Sequence, residues 1–310
     1  VGHGDSSVIY LNSGHSENEN VVIVDIVDSD KLLTELTSHK IKVVDLIIIS
    51  HSDADHCRGV NDFLEKYMKD TEENQEKGYS VGIVKNICFN LDKRQPTKTM
   101  KLILKKFIEI YQKQRITLLT GQNDTSVQKR ELISNDKSKL FLIYPNVAES
   151  TEAYLKNDTN NTSIVCLLEN DVCNVLFSGD LEESGWKKLL ERMPELKCEI
   201  LKMPHHGAFY DEKSGIGLKQ ILEILQPRDV IISSGDNKKY KHPDIQTIEL
   251  LKEKNIKVYC TEFTSLCHCN ANEFNRKCYG DIEIAVTDTA YEIRTEKENF
   301  SLLNHIACQE

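Results

Sequence analysis

No run of eighteen consecutive apolar residues occurs in this 310-residue chain, and no secretory leader pattern opens it. Neither a membrane-spanning helix nor contact with a membrane is therefore expected. An excess of positive charge is missing as well. The formal net charge is −10, from 39 Lys and Arg against 49 Asp and Glu. That balance argues against broad electrostatic binding to nucleic acid or acidic lipid, though it permits a local basic rim around a pocket. No Gly-x-Gly-x-x-Gly opens a helix, so a doubly wound dinucleotide fold fits poorly. There is no short internal repeat and no regular cysteine framework. The ten cysteines sit in apolar runs, as at Cys166 and Cys198, or unevenly towards the carboxyl end. This distribution points to reduced thiols and a cytoplasmic setting. The chain opens Val1-Gly2-His3-Gly4-Asp5 without a methionine, as a processed product or an excised domain would.

What is present is organised around His51-Ser52-Asp53-Ala54-Asp55-His56. The hexapeptide follows residues 43–49, a continuous, β-branched apolar run that reads as a buried strand. Imidazole nitrogens and carboxylate oxygens both suit zinc, and carboxylates also suit manganese or iron. Two carboxylates and two imidazoles crowd together at low cost only where a cation offsets them. Three later apolar runs also end in polar residues: Ser178-Gly179-Asp180-Leu181-Glu182, Lys202-Met203-Pro204-His205-His206-Gly207, and Ser233-Ser234-Gly235 followed by Tyr240-Lys241-His242-Pro243. Ligands gathered from several strand ends suit a binuclear hydrolase.

Between these motifs the periodicity predicts strands near residues 8–11 and 21–25, with Asp25 ending the second and facing the cluster. A helix over 31–39 is expected, capped by Asp28 or Ser29. Helices are expected over 60–69, 97–113, 182–191, 216–225 and 245–254, the last with Pro243 in its first turn. Residues 122–136 and 147–162 read as polar excursions. Residues 163–168 and 172–177 form a hairpin, and 282–286 with 291–294 another. A layered α/β sandwich fits this order. It is taken as a single domain over 1–310 with a Cys-rich insert at about 260–280.

With these motifs in hand, the sequence resembles the metallo-β-lactamase-fold hydrolases. The branch it is most similar to is the soluble metallohydrolase domain of the bacterial DNA-uptake channel protein ComEC and its stand-alone relatives. Val1-Gly2-His3-Gly4-Asp5-Ser6 resembles that branch's Val-Gly-Gln-Gly-Asp-Ser, with His3 in place of Gln. The hexapeptide matches His-x-Asp-x-Asp-His, and Asn160-Asn161-Thr162-Ser163 matches an Asn-rich turn before a strand. The Gly-Asp, His-His-Gly and Tyr-x-His-Pro stretches follow in register to about residue 260.

The resemblance implies a four-layer αβ/βα sandwich holding one or two divalent metals, zinc or manganese. His51 and Asp53 would hold the first and Asp55, His56 and His205 the second, with Asp180 bridging. Asp53 stands where most of the superfamily has a second histidine, and the Asn160–Ser163 region supplies no further histidine. The first site is weaker for that, which bears on whether one metal or two are held, and its oxygen-rich set would fit manganese as well as zinc.

The implied activity is metal-dependent phosphodiester hydrolysis by an activated hydroxide, a phosphodiesterase or nuclease acting on nucleic acid or a nucleotide. Asp55 would orient the water and take its proton, and His242 would donate a hydrogen bond or a proton at the rim. His206, Ser234, Gly235 and Tyr240 would meet the substrate. The acidic balance favours a small nucleotide substrate, or a basic protein partner that presents nucleic acid. Two other classes stay open: hydrolysis of a lactone, thioester or lactam, and a non-catalytic partner-binding module. Cys260, Cys267, Cys269 and Cys278, spaced C-x6-C-x-C-x8-C, are candidates for an additional structural zinc or for buried thiols.

Overall fold

The computed structural model describes residues 4–11, 20–68, 82–91, 98–113, 115–212, 215–235, 242–262, 266 and 280–296. One five-stranded sheet takes the order β1 (Ser7–Leu11), β2 (Asn20–Val24), β3 (Val43–Ile49), β4 (Ile83–Phe89) and β5 (Thr117–Thr120). Only β1 runs antiparallel to its neighbour; β2 to β5 are parallel.

The seven-stranded sheet holds β6 (Arg130–Ser134), β7 (Ser138–Tyr144), β8 (Val165–Asn170), β9 (Val175–Phe177), β10 (Ile200–Lys202), β11 (Asp229–Ile232) and β12 (Lys257–Cys260), each beside the next. It is antiparallel from β6 to β9 and parallel from β9 to β12. A separate hairpin pairs β13 (Ile282–Val286) with β14 (Tyr291–Thr295).

Side-chain alternation turns these sheets into layers, because successive residues of a strand face opposite ways. Val22, Val24, Leu46 and Ile48 meet Leu140, Leu142, Cys166 and Val175 in a core between the sheets. Their sequence neighbours Val21, Ile23, Ile47 and Ile49 face outward. There they pack against α1 (Ser29–Ser38), α3 (Val60–Tyr67) and α4 (Lys98–Gln112), through Leu36, Phe63 and Phe107 among others. A short α2 (Ala54–Cys57) precedes α3. The outer face of the second sheet packs on α6 (Glu183–Arg192), α7 (Leu218–Leu225) and α8 (Ile245–Glu253), around the fully buried Trp186. The result is the expected αβ/βα sandwich. No described helix is long and apolar enough to cross a membrane.

Two stretches read as polar excursions are regular structure. Residues 130–134 form β6, an edge strand on β7. Residues 147–156 form α5 (Val147–Lys156), set by a reciprocal capping box: the Asn146 side chain takes the Glu149 N–H, and Glu149 takes the Asn146 N–H. Asn-x-x-Glu was the signal for that start. Helix α8 begins after Asp244, so Pro243 precedes the helix instead of lying in its first turn. Asp28 is the α1 cap, accepting the Lys31 N–H at 3.0 Å.

Both sheets end at a common edge. There β2, β3, β9, β10 and β11 finish and β1 and β8 begin. The Ile164 N–H donates to Ser50 O at 2.8 Å and stitches the two sheets together at that edge.

Candidate metal centre

Asp25 leaves β2 in a left-handed conformation, φ 60°, and its N–H still donates to Ile48 O on β3 at 2.9 Å. This kink turns its carboxylate towards the end of β3. Oδ1 accepts the Ser50 N–H and Oδ2 the Ser50 hydroxyl, each at 2.7 Å, and Oδ2 also lies 2.8 Å from His56 Nδ1. An ionised carboxylate only accepts, so His56 carries its proton on Nδ1 and leaves Nε2 bare. The Ser50 proton is committed to Asp25, so the Ser50 oxygen accepts from His51 Nδ1 at 3.1 Å. His51 Nε2 is therefore bare too. A carboxylate behind a ligating imidazole fixes tautomer and ring orientation in this way.

The other half of the site comes from β9 and β10. Gly179 has φ 53°, and a Cβ there would lie 3.1 Å from Ser163 Cβ and 3.2 Å from Ser50 Cβ, so a glycine is needed where the two sheets touch. The next residue, Asp180, is buried with Oδ1 3.1 Å from His56 Nε2 and Oδ2 3.5 Å from His51 Nε2. Beyond β10, His205, His206 and Gly207 are all left-handed, with φ 47°, 54° and 86°. The turn sends the two imidazoles in different directions. His206 donates from Nδ1 to Ser233 O at 2.9 Å and brings Nε2 to 3.5 Å from Asp55 Oδ2. His205 faces Glu182 Oε1 through Nδ1 at 3.4 Å, and its Nε2 is 3.9 Å from Asp180 Oδ2.

Charge in this cluster is poised for a cation. Burial pushes the Asp180 carboxyl up, but the imidazoles of His56 and His51 outweigh it and hold the group well below the usual carboxylate range. Burial likewise pushes His56 down, and the carboxylates of Asp180 and Asp25 overcome it, raising the imidazole well above its usual value. The carboxylates thus favour positive charge at this position, which a cation at Nε2 would supply in place of a second proton. His51 Nε2 is buried without a hydrogen-bond partner, and the group facing His56 Nε2 is the Asp180 carboxylate, at 3.1 Å. An orphaned buried nitrogen like that of His51 calls for a partner. One set of ligand atoms is His51, His56 and Asp180, and a second is Asp55, His56 and His206, each within 4.8 Å of one another. Asp53 Oδ2 lies 3.7 Å from His51 Nε2, and Asp53 makes no side-chain cap bond to the helix it precedes. This donor set, imidazole with carboxylate, fits a divalent zinc or manganese ion.

The structure brings His51, Asp53, Asp55, His56 and Asp180 together. His206, read from the sequence as a substrate contact, stands with Asp55 and His56, whereas His205, read as the ligand, turns towards Glu182. The physical reason is the left-handed turn, whose direction no residue pattern announces. Ser234 faces the end of β12: its N–H donates to Thr261 Oγ1 and its hydroxyl to Glu262 O, both at 3.0 Å. Those bonds occupy the groups assigned to phosphate. Gly235 is buried beside it. Pro243 packs on Gly207, where an added Cβ would come 2.7 Å from Pro243 Cβ, and this sets His242 beside His205. The His242 and His205 ring centres are 5.4 Å apart. Tyr240 lies outside the described residues, as do Cys267, Cys269 and Cys278; Cys260 ends β12 and is buried. Buried Cys57, Cys88 and Cys173 have thiols pushed up to about 12 by burial, which keeps them unreactive.

Several participants carried little signal. Glu182 accepts the Asn160 amide at 2.7 Å as well as facing His205. Asn161 Oδ1 accepts the Gly185 N–H at 3.0 Å, capping α6, so the Asn-rich turn builds the second half of the site. Asp5 forms an ion pair with Lys202. Burial pushes the Asp5 carboxyl up, but the Lys202 ammonium prevails and brings it to about 2.

The chain is similar to ComE operon protein 3 of Bacillus subtilis (strain 168), at 27% identity over 233 residues, covering 74% of this chain. It spans only 25% of that relative's length. Among solved structures, the short form of human tRNase Z matches with a TM-score of 0.39 at 11% identity, covering 76% of this chain and 90% of that one. An isothiocyanate hydrolase from Delia radicum gut bacteria matches with 0.43 at 12% identity, covering 83% and 93%. The family description "Metallo-beta-lactamase superfamily" matches residues 2–214, more than half of the sequence, and the chain belongs to that superfamily.

Proposed function

We propose that this chain is a metal-dependent phosphodiesterase acting on nucleic acid or a nucleotide. The observation that carries the metal-dependent part is the pair of buried, bare nitrogens, His51 Nε2 and His56 Nε2, facing the buried Asp180 carboxylate. The oxygen-rich donor set, with Asp53 beside His51, supports the phosphodiester part, since carboxylate sites suit the hard cations used in phosphoryl chemistry. The likeness to the uptake-protein branch supports the substrate class.

In this reading His51 and Asp53 would hold one cation and Asp55, His56 and His206 the other, with Asp180 available to both. A bound divalent cation supplies Lewis acidity, lowering the pKa of water and offsetting charge on phosphoryl oxygens. The protein's own residues do the rest. Asp25 keeps the His56 proton on Nδ1, and Ser233 O keeps the His206 proton on Nδ1, so both Nε2 atoms stay directed inward. Asp55 would aim the attacking water at phosphorus and take its proton at the carboxylate oxygen not turned to His206. His242 at the mouth donates to a non-bridging oxygen or to the leaving oxygen. Glu182 holds the Nδ1 proton of His205 and sets the ring that faces His242.

The test is elemental analysis of the purified protein with turnover of labelled DNA, RNA and simple bis-phosphodiesters, with and without manganese or zinc, in wild type and Asp55→Ala. Metal-dependent turnover that disappears in Asp55→Ala is the expected result. Two bound metals with no phosphodiester turnover would overturn the substrate class and direct the search to esters, lactones and thioesters.

A further inference from the structure

One buried ion pair spans both sheets and takes no part in the chemistry above. Lys202 ends β10 on the face turned towards the five-stranded sheet and is 9% exposed. Its ammonium donates to Asp5 Oδ1, and to Ser7 Oγ at 3.0 Å. Asp5 Oδ1 also accepts the Ser233 hydroxyl at 2.6 Å, just beyond β11. The Asp5 N–H donates to Asp55 O at 2.8 Å. The path is closed by Ser233 O, which accepts the proton of His206 Nδ1 at 2.9 Å.

These bonds join three strand ends through one residue. Asp5 grips the backbone of Asp55 on one side and, through Ser233, the acceptor that orients His206 on the other. Asp55 Oδ2 and His206 Nε2 lie 3.5 Å apart, although they come from different sheets. Apolar packing between the sheets leaves a sliding freedom that directional bonds remove, since dispersion contacts are non-directional while charged hydrogen bonds fix geometry. A buried ammonium and carboxylate are also costly to desolvate, and replacing such a pair by apolar residues is often neutral or stabilising. Stability alone is therefore a poor reason for this pair. Its location, one hydrogen bond from Asp55 and two from His206, gives a better one.

We propose that Asp5 and Lys202, acting through Ser233, are positioning residues that set the separation of Asp55 from His206. The proposal rests on the metal-centre reading above. It concerns the cation position formed by Asp55, His56 and His206 and leaves His51 and Asp53 untouched.

The experiment is calorimetric titration of manganese into chelator-treated full chain, comparing wild type with His206→Ala, Ser233→Ala, Asp5→Asn, Lys202→Arg and Lys202→Met. Melting in chelator is measured alongside. His206→Ala identifies the binding step in question. Ser233→Ala and Asp5→Asn should weaken that step by about tenfold or more, as changes behind a ligand commonly do, and leave any other step within about twofold, well below that range. Lys202→Arg should recover affinity that Lys202→Met loses. The proposal is overturned if Ser233→Ala keeps wild-type affinity, or if every step weakens alike and Lys202→Arg recovers none of it. Should Asp5→Asn not fold, Ser233→Ala, which removes only a hydroxyl, decides. A wild-type chain that binds no manganese, or a His206→Ala chain that loses no step, sinks the metal-centre reading itself. A wild type that binds beside an unaffected Ser233→Ala sinks only the positioning role.

Discussion

From the five-stranded sheet come His51, Asp53, Asp55 and His56, all within the loop after β3 and the short helix α2 that follows it. From the seven-stranded sheet come Asp180, His205 and His206, on separate loops after β9 and β10. The first group is local, and the buried Asp25 carboxylate behind it fixes its rings. The second group is held by the backbone: a glycine at the sheet contact, a left-handed turn, and the carbonyl of Ser233. One half therefore depends on side chains and the other on chain path. Substitutions should act differently on the two.

The largest effect is expected at Asp180, where the halves meet. Asp180→Asn removes the charge that faces both His51 and His56, and metal affinity should fall by more than about a hundredfold, beyond what changes behind a ligand cost. Elemental analysis after dialysis checks this, and full metal content in the variant would mean the halves bind independently. Next comes the His205 and His206 pair. His206→Ala should lose one bound cation, while His205→Ala should keep the wild-type metal content and lose turnover only. The reverse pattern would restore His205 as the ligand and would require the turn to rearrange on binding.

Asp25→Asn tests the side-chain half alone. It leaves shape nearly unchanged but removes the charge behind His56, and affinity should drop by about ten- to a hundredfold. An isothermal titration reads it directly.

The smallest effect lies at the junction between the sheets. Asp5 is held at about 2 against an ordinary 3.8. A depressed carboxyl contributes stability that is present above the ordinary value and is lost as pH falls through the depressed one. In chelator, about 2 kcal/mol should therefore disappear between roughly pH 4 and pH 2. Urea melts across that window should show the loss in wild type and its absence in Asp5→Asn.

The same contrast explains what the sequence made legible. His51 to His56 was readable because its ligands are contiguous and follow an apolar strand. Asp180 was readable because Gly-Asp ends another such run. The order of apolar runs, hairpins and alternating strands and helices was enough for the layered sandwich. His206 was not distinguishable from His205, because adjacent residues of one type differ only in where the backbone sends them. Lys202 and Asp5 sit 197 positions apart. Such a pairing has no local signature in a single chain. Helix α5 was missed for another reason: its face buries only Glu149, Ser150 and Ala153, so hydrophobic periodicity was faint while the capping box was plain.

The turn at His205 and His206 carries a consequence for how much heat this molecule can withstand. Each non-glycine residue in the left-handed region costs roughly 1–2 kcal/mol relative to a relaxed backbone, and here two occur in succession. Set against a folding free energy on the order of 5–15 kcal/mol for a typical domain, the turn consumes a visible fraction of the thermal margin. A chain freed of that demand, for example by glycine at position 205, should melt at a higher temperature. The site and the melting point thus pull this short segment in opposite directions, and a search for hardier variants would find its easiest gains where function can least spare them.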